Sequence, residues 1–143
     1  MTQWTIGAVL DAIAEVIPDR PMTVCGDRVS TYAESAERTR RLANFLAGRG
    51  LGAHRERAGL QNWECGQDRV AELLDYVKPS AVIYHRALGA RFADVLPPET
   101  AGLRVCIDDG SDLPDLPGSV TLADALAQGD RDQGIEPSPD DVL

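Results

Sequence analysis

From Ala81 to Ile107 the chain carries two short, mostly apolar runs with a helical pattern between them, and no other feature constrains the fold as strongly. Ala81-Val82-Ile83-Tyr84 and Leu103-Arg104-Val105-Cys106-Ile107 have the length and β-branched content of buried strands. Leu88, Phe92, Val95 and Leu96 recur at three and four residues, the spacing of one helix face, and Pro97-Pro98 close that helix. Strand, helix and strand over this length form a βαβ unit with parallel strands, because a crossover of this length returns the chain to the same end of the sheet. The expected class is α/β.

Upstream, Ile6, Val9, Leu10, Ile13, Val16 and Ile17 share one helix face, Asp11 and Glu15 fall on the other, and Pro18 ends the run. Met22-Thr23-Val24-Cys25 and Arg28-Val29-Ser30 flank Gly26-Asp27, the signature of a tight two-residue hairpin. Thr31 opens a second helix with Glu34 three residues on as a capping box. Ala36, Leu42, Ala43 and Leu46 give that helix its apolar stripe, and Gly48 and Gly50 stand where it should end. His54 to Gln67 is polar and reads as a loop holding Trp63. Val70, Leu73, Leu74 and Val77 predict a short helix ending before Pro79. A last helix is expected from Thr121, with Asp124 as capping partner and Leu122 and Leu126 facing inward. After Gln128 the composition turns to Gly, Asp, Pro and Ser, so 4–128 is expected as the folded part and 129–143 as a disordered tail. The chain shows no internal repeat.

The net charge of −9 is unevenly placed. Asp108 to Leu143 holds ten acidic residues and one basic one, Arg131, so this end alone accounts for the whole charge. Such a surface does not suit nucleic acid or an anionic membrane, both of which require clustered Lys and Arg. No apolar stretch approaches the ~20 residues of a membrane span. Met1-Thr2-Gln3-Trp4 lacks the basic and apolar regions of a signal peptide, and the three cysteines are odd in number and widely spaced. A reduced, cytoplasmic protein is expected.

Several constellations carry residue types that could form a site. Gly48-Arg49-Gly50-Leu51-Gly52 looks like half a dinucleotide fingerprint, but it follows a helix, at the negative end of its dipole, and reads as a helix cap. Asp108-Asp109-Gly110-Ser111-Asp112 lies at a strand end, where ligands of α/β sheets bind. It lacks the alternation and distal Glu of a calcium loop and reads as a solvated turn. Cys25, Cys65 and Cys106 with His54 and His85 offer nucleophile and base, but no local signature supports such a pair and no two have metal-ligand spacing. Trp63 with Arg55 and Arg57 reads as a packing Trp on a loop. The single lysine, Lys78, follows no Gly-rich loop.

The order of these pieces resembles the N-terminal end of AMP-forming acyl-CoA synthetases, the adenylate-forming family, in its actinobacterial fatty-acid–CoA ligase branch. The likeness runs through Ile17-Pro18-Asp19-Arg20, Val24-Cys25-Gly26-Asp27, Ser30-Thr31-Tyr32-Ala33-Glu34 and Arg41-Leu42-Ala43-Asn44-Phe45-Leu46. Gly66-Gln67-Asp68-Arg69-Val70-Ala71 resembles the family's G-D-x-V-A segment, and Glu72 to Tyr84 a later helix and strand. No single motif is diagnostic; their sum carries the resemblance.

The resemblance implies part of a three-layer sheet-and-helix subdomain, and it implies two departures. Val70-Ala71 runs straight into Glu72-Leu73, where the family has a strand–helix–strand. The phosphate loop with its lysine, the nucleotide-binding segments and the catalytic lysine would all follow Asp140-Asp141-Val142-Leu143. The expectation is therefore a shortened relative, inactive alone, with no catalytic, cofactor-binding or metal residue to name. The family uses ATP, Mg²⁺ and CoA; this chain is expected to bind none of them by itself. The alternatives are a non-catalytic module that docks on a full-length or complementary synthetase, and an unrelated α/β binding domain with its ligand at the Ile107-Asp108 strand end.

Overall fold

The computed structural model describes residues 5–51, 66–95 and 102–134. They form two compact units. The first holds the N-terminal elements and the stretch after Ala125; the second holds the region between.

In the first unit, α1 (Ile6–Val16) is capped by Thr5, whose hydroxyl accepts the Ala8 N–H at 3.1 Å. Strands β1 (Pro21–Cys25) and β2 (Arg28–Thr31) pair antiparallel, with Val24 opposite Val29 and Cys25 opposite Arg28. Gly26 takes φ +59, as the first central position of a II′ hairpin turn requires. Helix α2 (Tyr32–Gly48) begins with the full capping box: the Glu34 N–H donates to Thr31 Oγ1 at 3.2 Å, and Glu34 Oε2 accepts the Thr31 N–H at 2.9 Å.

The inward face of α2 differs from the stripe expected from sequence. Ala36, Asn44 and Phe45 are buried, whereas Leu42, Ala43 and Leu46 are half-buried. Two local contacts explain the difference. The Arg49 guanidinium covers the Phe45 ring, 4.9 Å from its centroid. Asn44 meets residues beyond Gln128: its Nδ2 donates to the Gly129 carbonyl at 3.4 Å, and its Oδ1 accepts the Gln133 N–H at 3.5 Å. Gly129 is buried so closely that a Cβ there would stand 1.9 Å from the Arg41 carbonyl oxygen. Gly129 and Gln133, in the stretch read from sequence as a tail, thus touch α2; 135–143 fall outside the described residues.

The second unit is built on a parallel three-stranded sheet, ordered β3 (Ala81–His85), β4 (Leu103–Ile107), β5 (Val120–Thr121). Helices α3 (Gln67–Val77) and α4 (Arg86–Phe92) belong to it, and α4 forms the crossover from β3 to β4. The βαβ unit is as expected, but β5 is an addition. The chain makes a two-residue parallel pairing, Val105 with Val120 and Cys106 with Thr121, before α5 (Leu122–Gln128) begins. Thr121 caps that helix: its hydroxyl accepts the Asp124 N–H at 3.1 Å and donates to Asp124 Oδ2 at 2.8 Å. Ala125 is its buried residue rather than Leu122 or Leu126, which are half-buried.

Val70, Leu74, Tyr84, Cys106 and Leu116 form the core of this unit, with Val82, Phe92 and Val95 packed against it. The junction at Ala71-Glu72 lies inside α3, which passes through it unbroken. Val70 and Leu74 stand on either side of it, four residues apart, and both are buried. The helix therefore keeps its apolar face in phase across the junction.

Candidate functional site

Polar side chains of the second unit converge at the C-terminal ends of β3 and β4, where parallel sheets place their ligands. Strand β3 delivers Tyr84 and His85, and the chain turns at once into α4, whose first residue is Arg86. Strand β4 delivers Cys106 and then Asp108 and Asp109. Asp115, Leu116 and Ser119 come from the segment returning to β5.

Arg86 is the hub. Its Nε donates to Asp115 Oδ1 at 2.7 Å and its Nη1 to Asp108 Oδ1 at 2.8 Å. The Cys106 thiol donates to the same Asp115 oxygen at 3.1 Å. Asp109 Oδ2 accepts the Ala87 N–H at 2.9 Å and lies 3.8 Å from His85 Nδ1. The two aspartates also brace their own turn: Asp108 accepts the Gly110 N–H and Asp109 the Ser111 N–H, at 3.0 and 3.1 Å. Behind them the buried Tyr84 hydroxyl accepts the Leu116 N–H and exchanges a hydrogen bond with Ser119, both at 2.8 Å.

These contacts set the charge states. The Arg86 hydrogen bond, and then the Cys106 thiol, hold the Asp115 carboxyl below the usual carboxylate range. The Asp109 carboxyl is lowered to about 2, chiefly by the Ala87 N–H and next by Ser111. Asp115 in turn secures the charge on Arg86. Burial, then the bond to Asp115, push the Cys106 thiol up, and burial pushes up the Tyr84 phenol. A nucleophilic cysteine needs the opposite shift. Arg86, Cys106 and the Ala87 N–H each donate to one of these aspartates, so the chemistry of the cluster is that of a clamp tying the loop after β4 to the start of α4.

The residues named from sequence fare differently. Asp108, Asp109, Cys106 and His85 are brought together; Arg86 and Asp115, which organise them, were missed. They are 29 residues apart in sequence, and polar pairing leaves no periodic trace. Cys25 is exposed on the hairpin, in the other unit. Gly48 ends α2 and Gly50 follows it at φ +81, with the Gly50 N–H returned to the Ala47 carbonyl at 2.9 Å; these glycines cap a helix. Gly52, His54, Arg55, Arg57, Trp63 and Cys65 lie outside the described residues. Among the described residues no three His, Cys, Asp or Glu side chains are placed so that they could hold a metal ion, and no helix is long and apolar enough to cross a membrane.

No family model matches the chain. It is, however, 35% identical over 182 positions to the medium-chain acyl-CoA ligase Mig of Mycobacterium avium, a match that takes in 99% of this chain and 32% of that protein. Nearly the whole chain is thus related to one third of an acyl-CoA ligase. Its fold agrees with this. The anthranilate CoA ligase AuaEII, solved with anthranoyl-AMP, superposes with a TM-score of 0.74 at 15% identity over 89% of this chain and 29% of that one. A benzoate CoA ligase from Burkholderia xenovorans LB400 gives 0.68 at 18% identity, over 87% and 28%.

The chain therefore spans about a third of the length of the relatives it matches. The alignment with the mycobacterial ligase covers 182 positions, whereas this chain has 143 residues, so at least 39 of those positions have no counterpart here. A shortening within the matched span was expected from the direct junction of Ala71 with Glu72.

Proposed function

We propose that this chain is one structural third of an acyl-CoA ligase of the medium-chain type and does not activate a carboxylate unaided. The observation that carries the reading is the asymmetry of the match, nearly all of this chain against 32% of the ligase. In the ligase reaction a fatty carboxylate attacks the α-phosphorus of ATP and pyrophosphate leaves. Negative charge then builds on phosphoryl oxygens and must be met by preorganised cations and N–H donors.

The described residues offer little of that. The one lysine, Lys78, caps the C-terminus of α3 in a left-handed conformation. Arg86 is already shared between two aspartates. ATP, Mg²⁺ and CoA would be held by other parts of the ligase fold. A second reading, a non-catalytic module acting through another ligase polypeptide, is favoured by α1, whose apolar stripe holds no buried residue among the described residues.

The test is ATP–pyrophosphate exchange driven by octanoate, with the purified chain alone. Exchange at the no-enzyme background is expected. Octanoate-dependent exchange that scales with chain concentration overturns the proposal.

A further inference from the structure

Between β4 and β5 the chain runs from Asp108 to Ser119 without helix or strand. Two residues of this loop are fastened to the body of the unit. Asp109 Oδ2 accepts the Ala87 N–H at 2.9 Å. Leu116 is 5% exposed, belongs to the core cluster, and donates its N–H to the Tyr84 hydroxyl at 2.8 Å. The stretch 110–115 between them is held differently. Asp112, Leu113 and Pro114 are exposed, and the N–H groups of Gly110 and Ser111 turn back to Asp108 and Asp109, inside the loop itself. Among the described residues, the hydrogen bonds that tie 110–115 to the strands and to α4 both fall on Asp115 Oδ1: one from Arg86 Nε at 2.7 Å, the other from the Cys106 thiol at 3.1 Å.

The two bonds are unequal. The Arg86 bond carries charge on both partners, whereas a thiol is a weak donor. The Arg86 side chain is 19% exposed and that of Asp115 31%, so water screens this pair less than one at the open surface. Cys106 has no exposed surface, and the Asp115 carboxylate lies against its sulfur. We infer that residues 110–115 form a hinged flap over the end of β4, pivoting on Asp109 and Leu116, with the Arg86–Asp115 ion pair as its catch and the Cys106 sulfur as the group it covers. With the catch in place, the sulfur is uncovered only when the whole unit unfolds. Without it the flap opens locally, while the sheet, α3 and α4 stay folded.

The test is thiol–disulfide exchange at Cys106 in the full chain carrying Cys25→Ser and Cys65→Ser, which leaves Cys106 as the one thiol. The probe is dithiodipyridine: the Cys106 sulfur displaces one thiopyridone, whose absorbance reports the rate, and is left in a mixed disulfide. Rates are followed as urea is raised toward the unfolding transition. Exchange through global opening climbs with urea from the start, because all the buried surface is exposed; exchange through a local flap hardly responds. The parent chain should show the urea-dependent route alone. Arg86→Met should add a urea-independent route, about 10-fold or more faster than the parent's exchange without urea, with circular dichroism unchanged. Leu103→Ala, a buried residue at the far end of β4, should speed exchange by the urea-dependent route alone. If Arg86→Met does not fold, Asp115→Asn, which discharges the catch and keeps its shape, is read in its place with the same expected route.

A rate in the catch variant that climbs with urea as steeply as in Leu103→Ala overturns the flap, because the sulfur then opens only with the whole unit. A parent chain that already exchanges at the variant's rate, without urea dependence, overturns the catch.

Discussion

Arg86 Nε and Asp115 Oδ1 stand 2.7 Å apart, and this one contact joins the first residue of α4 to the segment that returns to β5. The same carboxylate oxygen accepts the Cys106 thiol, so a charged pair and a strand residue share one atom. Arg86→Met should leave Asp115 and Asp108 facing each other without a cation. We expect the thermal midpoint of the second unit to fall by roughly 5 °C, with Asp108→Asn showing a smaller fall because that side chain is 65% exposed. Differential scanning calorimetry of the two variants checks this. Equal effects would mean that Asp115 is not the important partner.

The acid limb of stability should belong to this cluster. Asp109 and Asp115 have folded-state pKa values below those of an unfolded carboxylate. Groups of this kind contribute stability that is complete above the unfolded value of ~4 and fades as pH falls through the folded one. For Asp109 that window runs down to about 2. The urea midpoint should therefore decline between about pH 4 and 2, and Asp109→Asn should flatten the decline. An unchanged acid limb in that variant would contradict the assignment.

Alkaline pH should act through Cys106 and Tyr84, both raised, chiefly by burial. Their neutral forms stabilise the fold below the unfolded thiol value of ~8.5, and that contribution is lost as pH rises. The chemical counterpart is protection from alkylation. In a Cys65→Ser background, iodoacetamide at pH 8 should label the exposed Cys25 quickly and Cys106 only on unfolding. Peptide mass spectrometry reads both sites. Rapid labelling of Cys106 in the native chain would contradict its burial.

Packing makes a sharper demand at Gly129. A methyl group there would meet the Arg41 carbonyl oxygen at 1.9 Å, a backbone atom that cannot swing aside. Gly129→Ala should cost more than an ordinary surface substitution, on the order of 3 kcal/mol or more. Leu74→Ala, in the core of the other unit, should cost about 2–5 kcal/mol. Thr31→Ala, which removes the cap of α2, should cost about 0.5–2 kcal/mol. Urea unfolding followed by circular dichroism orders the three.

What the sequence revealed was local. The βαβ unit, the hairpin at Gly26 and the capping box at Thr31 and Glu34 are written in runs of fewer than thirty residues, where periodicity and turn chemistry decide. Burial of Asn44 depends on Gly129 and Gln133, more than eighty residues away. Strand β5 is two residues long and has no pattern of its own; it exists because β4 offers Val105 and Cys106 as partners. The clamp was half legible, since Asp108 and Asp109 stood at a strand end, but Arg86 looked like any helix-start residue. The α1 stripe is legible as one face, and only the fold shows that none of its residues is buried among the described residues.

A chain that is one third of a ligase, as proposed, should not hold the nucleotide by itself, and isothermal titration with ATP and Mg²⁺ measures this. Injection into the purified chain should give dilution heats alone, with and without octanoate. A saturable isotherm near one site per chain, abolished by excess AMP, would contradict this and place a nucleotide site within these 143 residues.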